Sequence, residues 1–229
     1  MLFDVTAVKA NIRNRDGKRV FYLGKGDQLT SSARDWLNRE RIAILSGSDA
    51  KPEKYRLLSG GYTEEKPEHM THLNGDILVP KTHPRIAFRG AMDTLESLLL
   101  LCRTEDDALQ GQIGEILQLA RNVIKWDVLE QPAEEMALCG LTEEQIRQQS
   151  HFPQTYYGQP HFMPSFGDST LLLRLNRARC AARQAELLGA RAFTDRDGNP
   201  TRTDLLRVLN RLSSMLYILM IREKAKETS

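Results

Sequence analysis

The sequence predicts a mainly α protein, a helical bundle of about five helices with a small α+β region at its N-terminus. Three observations lead there. From Arg89 onward, apolar residues recur at three- and four-residue intervals along several long segments joined by short connections, the pattern of amphipathic helices packed side by side. Up to about Glu68 the pattern is short and mixed, with strand-like runs, turns and one helical stretch. The most apolar helices also carry stripes of Arg, Asp, Asn and Ser, residue types that favour a bound or buried partner over plain solvation. The division expected is residues 1–60 for the α+β region and 66–229 for the bundle.

Taken in order, RVFYL (Arg19–Leu23) reads as a strand and GKGD as a turn. LTSSARDWLNRER reads as a helix capped by Thr30 or Ser31, and IAILSG as a second strand. SDAKPEKYRLLSGGYTEEKPE, rich in charge, Gly and Pro, reads as a linker. FRGAMDTLESLLLLCR and DALQGQIGEILQLARNVIKWD are the first two long helices. TEEQIRQQS is a shorter one, with Thr142 as its cap and Glu144 or Gln145 near the third position. HFPQTYYGQPHFMPSFGD reads as an aromatic loop punctuated by Pro and Gly. A helix follows from near Asp168, then the turn FTDRDGNPTRT, then the last helix DLLRVLNRLSSMLYILMIREKA.

Composition excludes several functions. With 229 residues, 41% hydrophobic and 27% charged, the chain has the balance of a globular protein large enough for a substantial core. The net charge of +2, from 32 basic and 30 acidic residues, gives no reason to expect nucleic acid or an anionic membrane as a partner. No apolar run approaches the ~20 residues that span a bilayer, and the first residues lack a signal-peptide core. Cys102, Cys139 and Cys180 are odd in number and widely spaced, which argues against a disulfide framework and for a reducing cytoplasm.

The stripes carry the functional signal. Arg179, Arg183 and Glu186 share one face of their helix at ~100° per residue, beside Leu172, Leu175 and Ala182. Asn210, Ser213, Ser214 and Tyr217 share another, and Arg89, Asp93, Glu96 and Ser97 a third. A solvent face is the plain reading of any one of them. Buried arginine needs a pair or an anion, and its planar fork suits phosphate or carboxylate. The three stripes together therefore suggest a polyanionic ligand between helices, with the arginines turned inward.

KTHPRIAFRGAMDTLES, RARCAARQAE and LNRLSS resemble the ATP:corrinoid adenosyltransferases of the propanediol-utilisation type, and more closely those of ethanolamine utilisation. The matching positions are Thr71-His72-Leu73, Lys81, Pro84-Arg85, Phe88-Arg89, Asp93, His161-Phe162-Met163-Pro164 and Asn210 to Ser214. LTSSARDWL is similar to the family's Leu-Thr-Pro-Ser-Ala-Arg opening. The resemblance spans roughly Lys66 to the C-terminus. It implies transfer of the 5′-deoxyadenosyl group of ATP to the cobalt of reduced cobalamin, with Mg²⁺, in a homo-oligomer (a trimer in the family) with sites between subunits. It implies Arg183, Arg179 and Asp93 as catalytic residues, with an ion pair between Asp93 and Arg179. It implies Thr71, His72, Asn74, Lys81, Arg183, Glu186 and Asn210 as ATP ligands. His161, Phe162 and Phe166 fall to the corrinoid, with Phe162 or Phe166 as the wall on the lower face of cobalt. The implied setting is the cytoplasm or a bacterial microcompartment. Implied partners are a corrinoid reductase and an adenosylcobalamin-dependent ammonia lyase.

The sequence departs from the family in four places. His161 stands where the wider family has its wall phenylalanine, three residues before a Pro-Gly-Gly loop that Pro164-Ser165-Phe166-Gly167 replaces. Ser214 stands where the propanediol type has Asp. The family's Thr-Gly-Asp phosphate loop has no clean counterpart, and the segment Thr71 to Asp76 is offered in its place. The Cys-Cys-x-x-Cys metal cluster of some relatives is missing, so no protein-held transition metal is expected, with His69, His72 and His83 as the fallback ligands. The chemistry agrees with the missing nucleophile motif, since cobalt(I) attacks carbon by itself and the protein supplies clamps and alignment. A non-catalytic corrinoid or nucleotide carrier, or a microcompartment-associated structural bundle, remains the alternative reading.

Overall fold

The computed structural model describes residues 2–15, 17–24, 26–46 and 55–228. The chain forms two compact units, Met1–His83 and Pro84–Ser229.

In the first unit, β1 (Leu2–Phe3) pairs in parallel with β4 (Gln28–Leu29). Between them come α1 (Val5–Ala10), β2 (Ile12–Arg15) and β3 (Lys18–Leu23). α2 (Ser31–Arg39) is capped by Thr30, whose hydroxyl accepts from the Ala33 amide at 3.2 Å. It carries the chain over to β5 (Ala43–Ser46), which lies parallel to β3 while β2 lies antiparallel to it. Val8, Ile12, Phe21, Ala33, Leu37 and Ile42 make a small core. The expected linker is only partly a matter for the structure, because 47–54 lie outside the described residues. The remainder corrects the expectation: β6 (Tyr55–Leu57) and β7 (Tyr62–Thr63) are strands of a second sheet, ordered β7-β6-β9-β8 with β8 (Met70–Asn74) and β9 (Ile77–Pro80). Gly60 and Gly61 have positive φ, 100° and 84°, and turn β6 into β7. That turn use of glycine is what made the segment look like a linker.

The second unit is the bundle. Its elements are α3 (Pro84–Leu100), α4 (Asp107–Val128), β10 (Ala137–Leu138), β11 (Leu141–Thr142), α5 (Glu143–His151), α6 (Pro153–Tyr157), α7 (Thr170–Ala192) and α8 (Thr203–Thr228). Proline opens both α3 and α6, where its missing N–H costs nothing. α5 begins with a full capping box, Thr142 and Gln145 each bonding the other's backbone. α6 corrects the reading of 151–168 as loop throughout. α7 packs along α3 on one side and α8 on the other. Its buried face, Leu172, Leu175, Ala178, Ala182, Ala185 and Gly189, narrows to small residues toward its end and lets the three helices approach closely. No helix is long and apolar enough to cross a membrane among the described residues.

One buried charge cluster was not anticipated. Asp127 is fully buried at the end of α4. It accepts from Arg85 Nε at 2.9 Å and from Arg89 Nε at 2.6 Å, and its carbonyl accepts from Arg85 Nη2 at 2.8 Å. This ties the first turns of α3 to α4. The signal was present: Asp127 continues the apolar series Ile116, Ala120, Val123 at intervals of four, three and four.

Candidate functional site

The site is built where polar flanks of α7 and α8 meet the segment after α5. Arg179 and Glu186 are half-buried beside the apolar stripe of α7, while Arg183, one turn from Arg179, is exposed. This corrects the inward orientation expected for the arginines. The helix keeps Ala178, Ala182 and Ala185 for the core and turns the arginine edge toward a cleft. Ser213, Ser214 and Tyr217 of α8 line that cleft of about 230 Å³, with His151, His161, Arg179 and Arg183.

Its electrostatics are one-sided. Among the described residues neither Arg179 nor Arg183 forms an ion pair. Arg179 Nη2 donates to Asn176 Oδ1 at 3.2 Å, its Cζ stands 5.6 Å over the Tyr217 ring, and its Nε is buried with no hydrogen bond. Glu186 pairs with neither among the described residues; its Oε1 accepts from Asn210 Nδ2 at 2.8 Å. Asn210 Oδ1 accepts from Arg211 Nη1 at 2.7 Å, and Arg211 reaches Glu143 at 3.5 Å. Glu186 and Asn210 thus form one polar chain running from α7 across α8 to α5. Ser213 and Ser214 both donate to the Asn210 carbonyl, at 3.0 and 3.2 Å. Two guanidiniums without carboxylates leave this cleft set for an anion.

A larger cleft of about 540 Å³ lies elsewhere in the same unit, lined by Arg85, Glu130, Phe193, Thr201, Arg202 and Asp204. Its charges cancel. Arg202 pairs with Asp204 at 2.9 Å, and Arg85 pairs with Asp127 at 2.8 Å and Glu130 at 3.5 Å. Burial opposes ionisation of Asp204, but hydrogen bonds from Arg202 and the Ala133 amide hold its carboxyl down at about 2. Volume alone would select this cleft; charge selects the smaller one.

The aromatic segment divides. His161 Nδ1 lies 2.8 Å from Tyr217 Oη and its Nε2 lies 3.2 Å from the His151 carbonyl. The His161 and Tyr217 rings stack at 5.8 Å and 6°. Phe162 packs on the bundle core and stacks with Tyr217 at 6.4 Å and 20°. Phe166 is fully exposed at 108% and Met163 nearly so at 88%. Asp168, buried, accepts from Lys224 at 2.7 Å and from the Ser165 amide at 2.6 Å, so the segment is fastened to α8 at both ends.

The structure does not join Asp93 to Arg179. Asp93 is exposed on α3, and among the described residues neither takes part in any ion pair. The reason is rotation along α3: Phe88, Met92, Leu95 and Leu99 fill its packed face, which turns Asp93 away. Thr71, His72, Asn74 and Lys81 all belong to the first unit. Thr71 and His72 sit on β8 opposite Val79 and Leu78, and His72 Nδ1 lies 3.1 Å from the Gly75 carbonyl. Partial burial lowers the His72 pKa, helped by Lys66 and Arg13. Lys81 Nζ pairs with Glu68 at 3.2 Å in an exposed pair of small energetic weight. No three His, Cys, Asp or Glu side chains converge to hold a metal ion among the described residues. Sequence reasoning named Tyr217 only as part of a stripe and gave no role to His151, whose carbonyl meets the His161 ring that Tyr217 holds from its other nitrogen. Their contacts join residues far apart in the chain, for which no local pattern exists.

A helical bundle whose α7–α8 cleft holds two arginines that form no ion pair among the described residues, beside an aromatic pair, belongs to a class with a basic cleft suited to an anion. Residues 61–223 match the family model for cobalamin adenosyltransferase, and the chain belongs to that family. It is similar to the corrinoid adenosyltransferase EutT of Salmonella typhimurium, at 29% identity over 245 residues, covering 96% of this chain and 91% of that one. Its similarity to EutT of Escherichia coli is 28% over 244 residues with the same coverage. Two solved structures of PduO-type ATP:corrinoid adenosyltransferase variants from Lactobacillus reuteri share the fold. One, complexed with cobalamin and ATP, aligns with a TM-score of 0.51 at 21% identity, covering 70% of this chain and 91% of that chain. The other, complexed with ATP, gives 0.50 at 21% identity, covering 70% and 92%.

Proposed function

We propose that this chain transfers the 5′-deoxyadenosyl group of ATP to the cobalt of a reduced corrinoid, and that the α7–α8 cleft is where it does so. The observation that carries the placement is the pair Arg179 and Arg183, two guanidiniums with no carboxylate partner among the described residues, in a chain of this family. The proteins it resembles are named as corrinoid adenosyltransferases, and a neighbour of the same fold holds cobalamin and ATP.

In the reaction, cobalt(I) donates an electron pair to C5′, the C5′–O bond breaks, and triphosphate leaves with the bonding pair. Negative charge grows on the leaving oxygen, so fixed cations there stabilise the transition state. Arg183 clamps the phosphates by its exposed fork. Arg179, held by Asn176 and the Tyr217 face, supplies a second charge that is oriented in advance. Glu186 and Asn210 act together, each fixing the other, so the Asn210 amide presents one fixed edge to the ligand. Phe162 is the wall candidate the geometry favours over Phe166, because it is stacked and anchored. The hydroxyls of Ser150, Ser213 and Ser214 would face the hydration shell of an ATP-bound Mg²⁺, which would supply neutralisation of phosphate charge.

The exposed Asp93 finds its cation on a neighbouring copy of the chain, which makes a homo-oligomer the working form. The function is tested by anaerobic incubation with ATP and cob(I)alamin. Light-sensitive adenosylcobalamin is the expected product. Nucleotide binding without a cobalt–carbon bond would identify a carrier instead, and binding of neither substrate would leave a structural bundle.

A further inference from the structure

We propose that Tyr217 holds His161 away from cobalt, so that a histidine beside the corrinoid serves as a flat platform and never as an axial ligand. The proposal rests on the reading that this cleft receives a corrinoid. A histidine there poses a chemical problem, because imidazole is a common ligand of transition metals and an added axial ligand makes cobalt(II) harder to reduce.

The geometry removes the problem. The His151 carbonyl can only accept, so the 3.2 Å contact places the proton of the ring on Nε2. Nδ1 is then the acceptor, and the Tyr217 hydroxyl donates to it at 2.8 Å. Both ring nitrogens are therefore engaged. In the doubly protonated ring both nitrogens carry hydrogens, and again no lone pair remains for a metal. The ring cannot turn to free one without losing both hydrogen bonds and a stack only 6° from parallel. Tyr217 is itself fixed on the side of the nucleotide charges, since Arg179 lies 5.6 Å over its ring. One tyrosine thus links the platform to the phosphate-binding arginine. Tyr217 is a positioning residue, since it acts through His161.

Two measurements test this. The first uses the protein without substrates, labelled with ¹⁵N-histidine, with His161 assigned by loss of its signals in His161→Gln. Two-bond ¹H–¹⁵N correlation is expected to give the Nε2–H pattern, and a neutral Nδ1–H ring would overturn the proposal. The second uses cob(II)inamide, a corrinoid with no nitrogenous lower base, bound with ATP and read by electron paramagnetic resonance. Any nitrogen splitting on cobalt then comes from the protein. The wild type is expected to show none. Tyr217→Phe keeps the ring and its packing but removes the donor. It is expected to show a triplet splitting that becomes a doublet with ¹⁵N-histidine and disappears in Tyr217→Phe/His161→Gln. Turnover in Tyr217→Phe should fall roughly ten- to hundredfold, as when the hydrogen-bond partner that orients a histidine beside a metal is lost, with the KM for ATP unchanged. Nitrogen splitting in the wild type, or its absence in Tyr217→Phe, overturns the proposal. If the protein leaves the cob(II)inamide spectrum unaltered, the corrinoid reading itself fails, an outcome distinct from either.

Discussion

Replacing Arg183 with alanine separates structure from function cleanly. Its guanidinium is exposed, and among the described residues it makes no hydrogen bond or ion pair. Surface changes of this kind shift stability by about 0.5 kcal/mol at most, and alanine is the slightly better helix former. The unfolding midpoint should therefore stay where it is. Activity should behave otherwise. Loss of a group that stabilises charge only in the transition state costs on the order of 10²–10³ in rate, about 2.7–4 kcal/mol. Arg183→Lys keeps the charge without the planar fork and should fall between. The assay is anaerobic turnover of cob(I)alamin with ATP, set beside a urea melt of the same preparation. Turnover within a few-fold of wild type would refute the clamp. A large loss of stability in the alanine variant would refute the structural premise, that Arg183 has no partner within its own chain.

Three further outcomes follow from the same contacts. Asp127→Asn removes the fully buried carboxylate that now pairs with Arg85 and Arg89, so it should cost roughly 3–5 kcal/mol in urea unfolding; a loss under about 1 kcal/mol would contradict the buried network. Asp204 has a folded pKa of about 2, below its ordinary 3.8, so its contribution is present above the ordinary value and is lost as pH falls through the folded one. Because its side chain is 25% exposed, that contribution is about 1 kcal/mol, and Asp204→Asn should flatten the fall in urea midpoint between pH 5 and pH 2. Asp93→Asn should leave the unfolding of a single chain unchanged yet weaken self-association in sedimentation, and intact association would dismiss the intersubunit pair.

How far the sequence could be read depends on the range of each interaction. Thr30 and Thr142 cap their helices as local chemistry dictates, because a cap needs only its next three residues. Bundle helices were legible for the same reason, their apolar period being a property of each segment. The strands Tyr55–Leu57 and Tyr62–Thr63 were not, since β6 exists through pairing with β9, beyond a segment of charge and glycine. The stripe Arg179, Arg183 and Glu186 was visible as a stripe. A helical wheel gives the angle between residues but not the neighbour each angle meets, so an inward face was inferred where the arginines border a cleft. His161 and Tyr217 meet across 56 positions, and only folding brings them together.

Cleft geometry ultimately rests on the small residues of α7, and Gly189 tests that dependence. A Cβ built there would lie 3.0 Å from Leu209 Cδ1 and 3.3 Å from Phe88 Cε2. The leucine methyl is the end of a flexible side chain and can move. Phe88 is fully buried and set edge-on against Phe193 at 5.3 Å, so it cannot move as freely. Alanine also gains about 1 kcal/mol of helix propensity over glycine. The two effects oppose each other, so Gly189→Ala should change stability by no more than about 1 kcal/mol. Gly189→Val adds two methyl groups into the same space and loses part of the propensity gain, so overpacking of roughly 1–3 kcal/mol should dominate. Gly189 faces both Phe88 of α3 and Leu209 of α8, so α7 relieves that crowding by shifting against both helices, which would disturb the 2.8 Å bond between Asn210 and Glu186 one turn away. Gly189→Val is thus expected to lose both stability and turnover, while Gly189→Ala keeps most of each. Equal tolerance of both substitutions would show that the α7–α8 spacing is not set by close packing at this position.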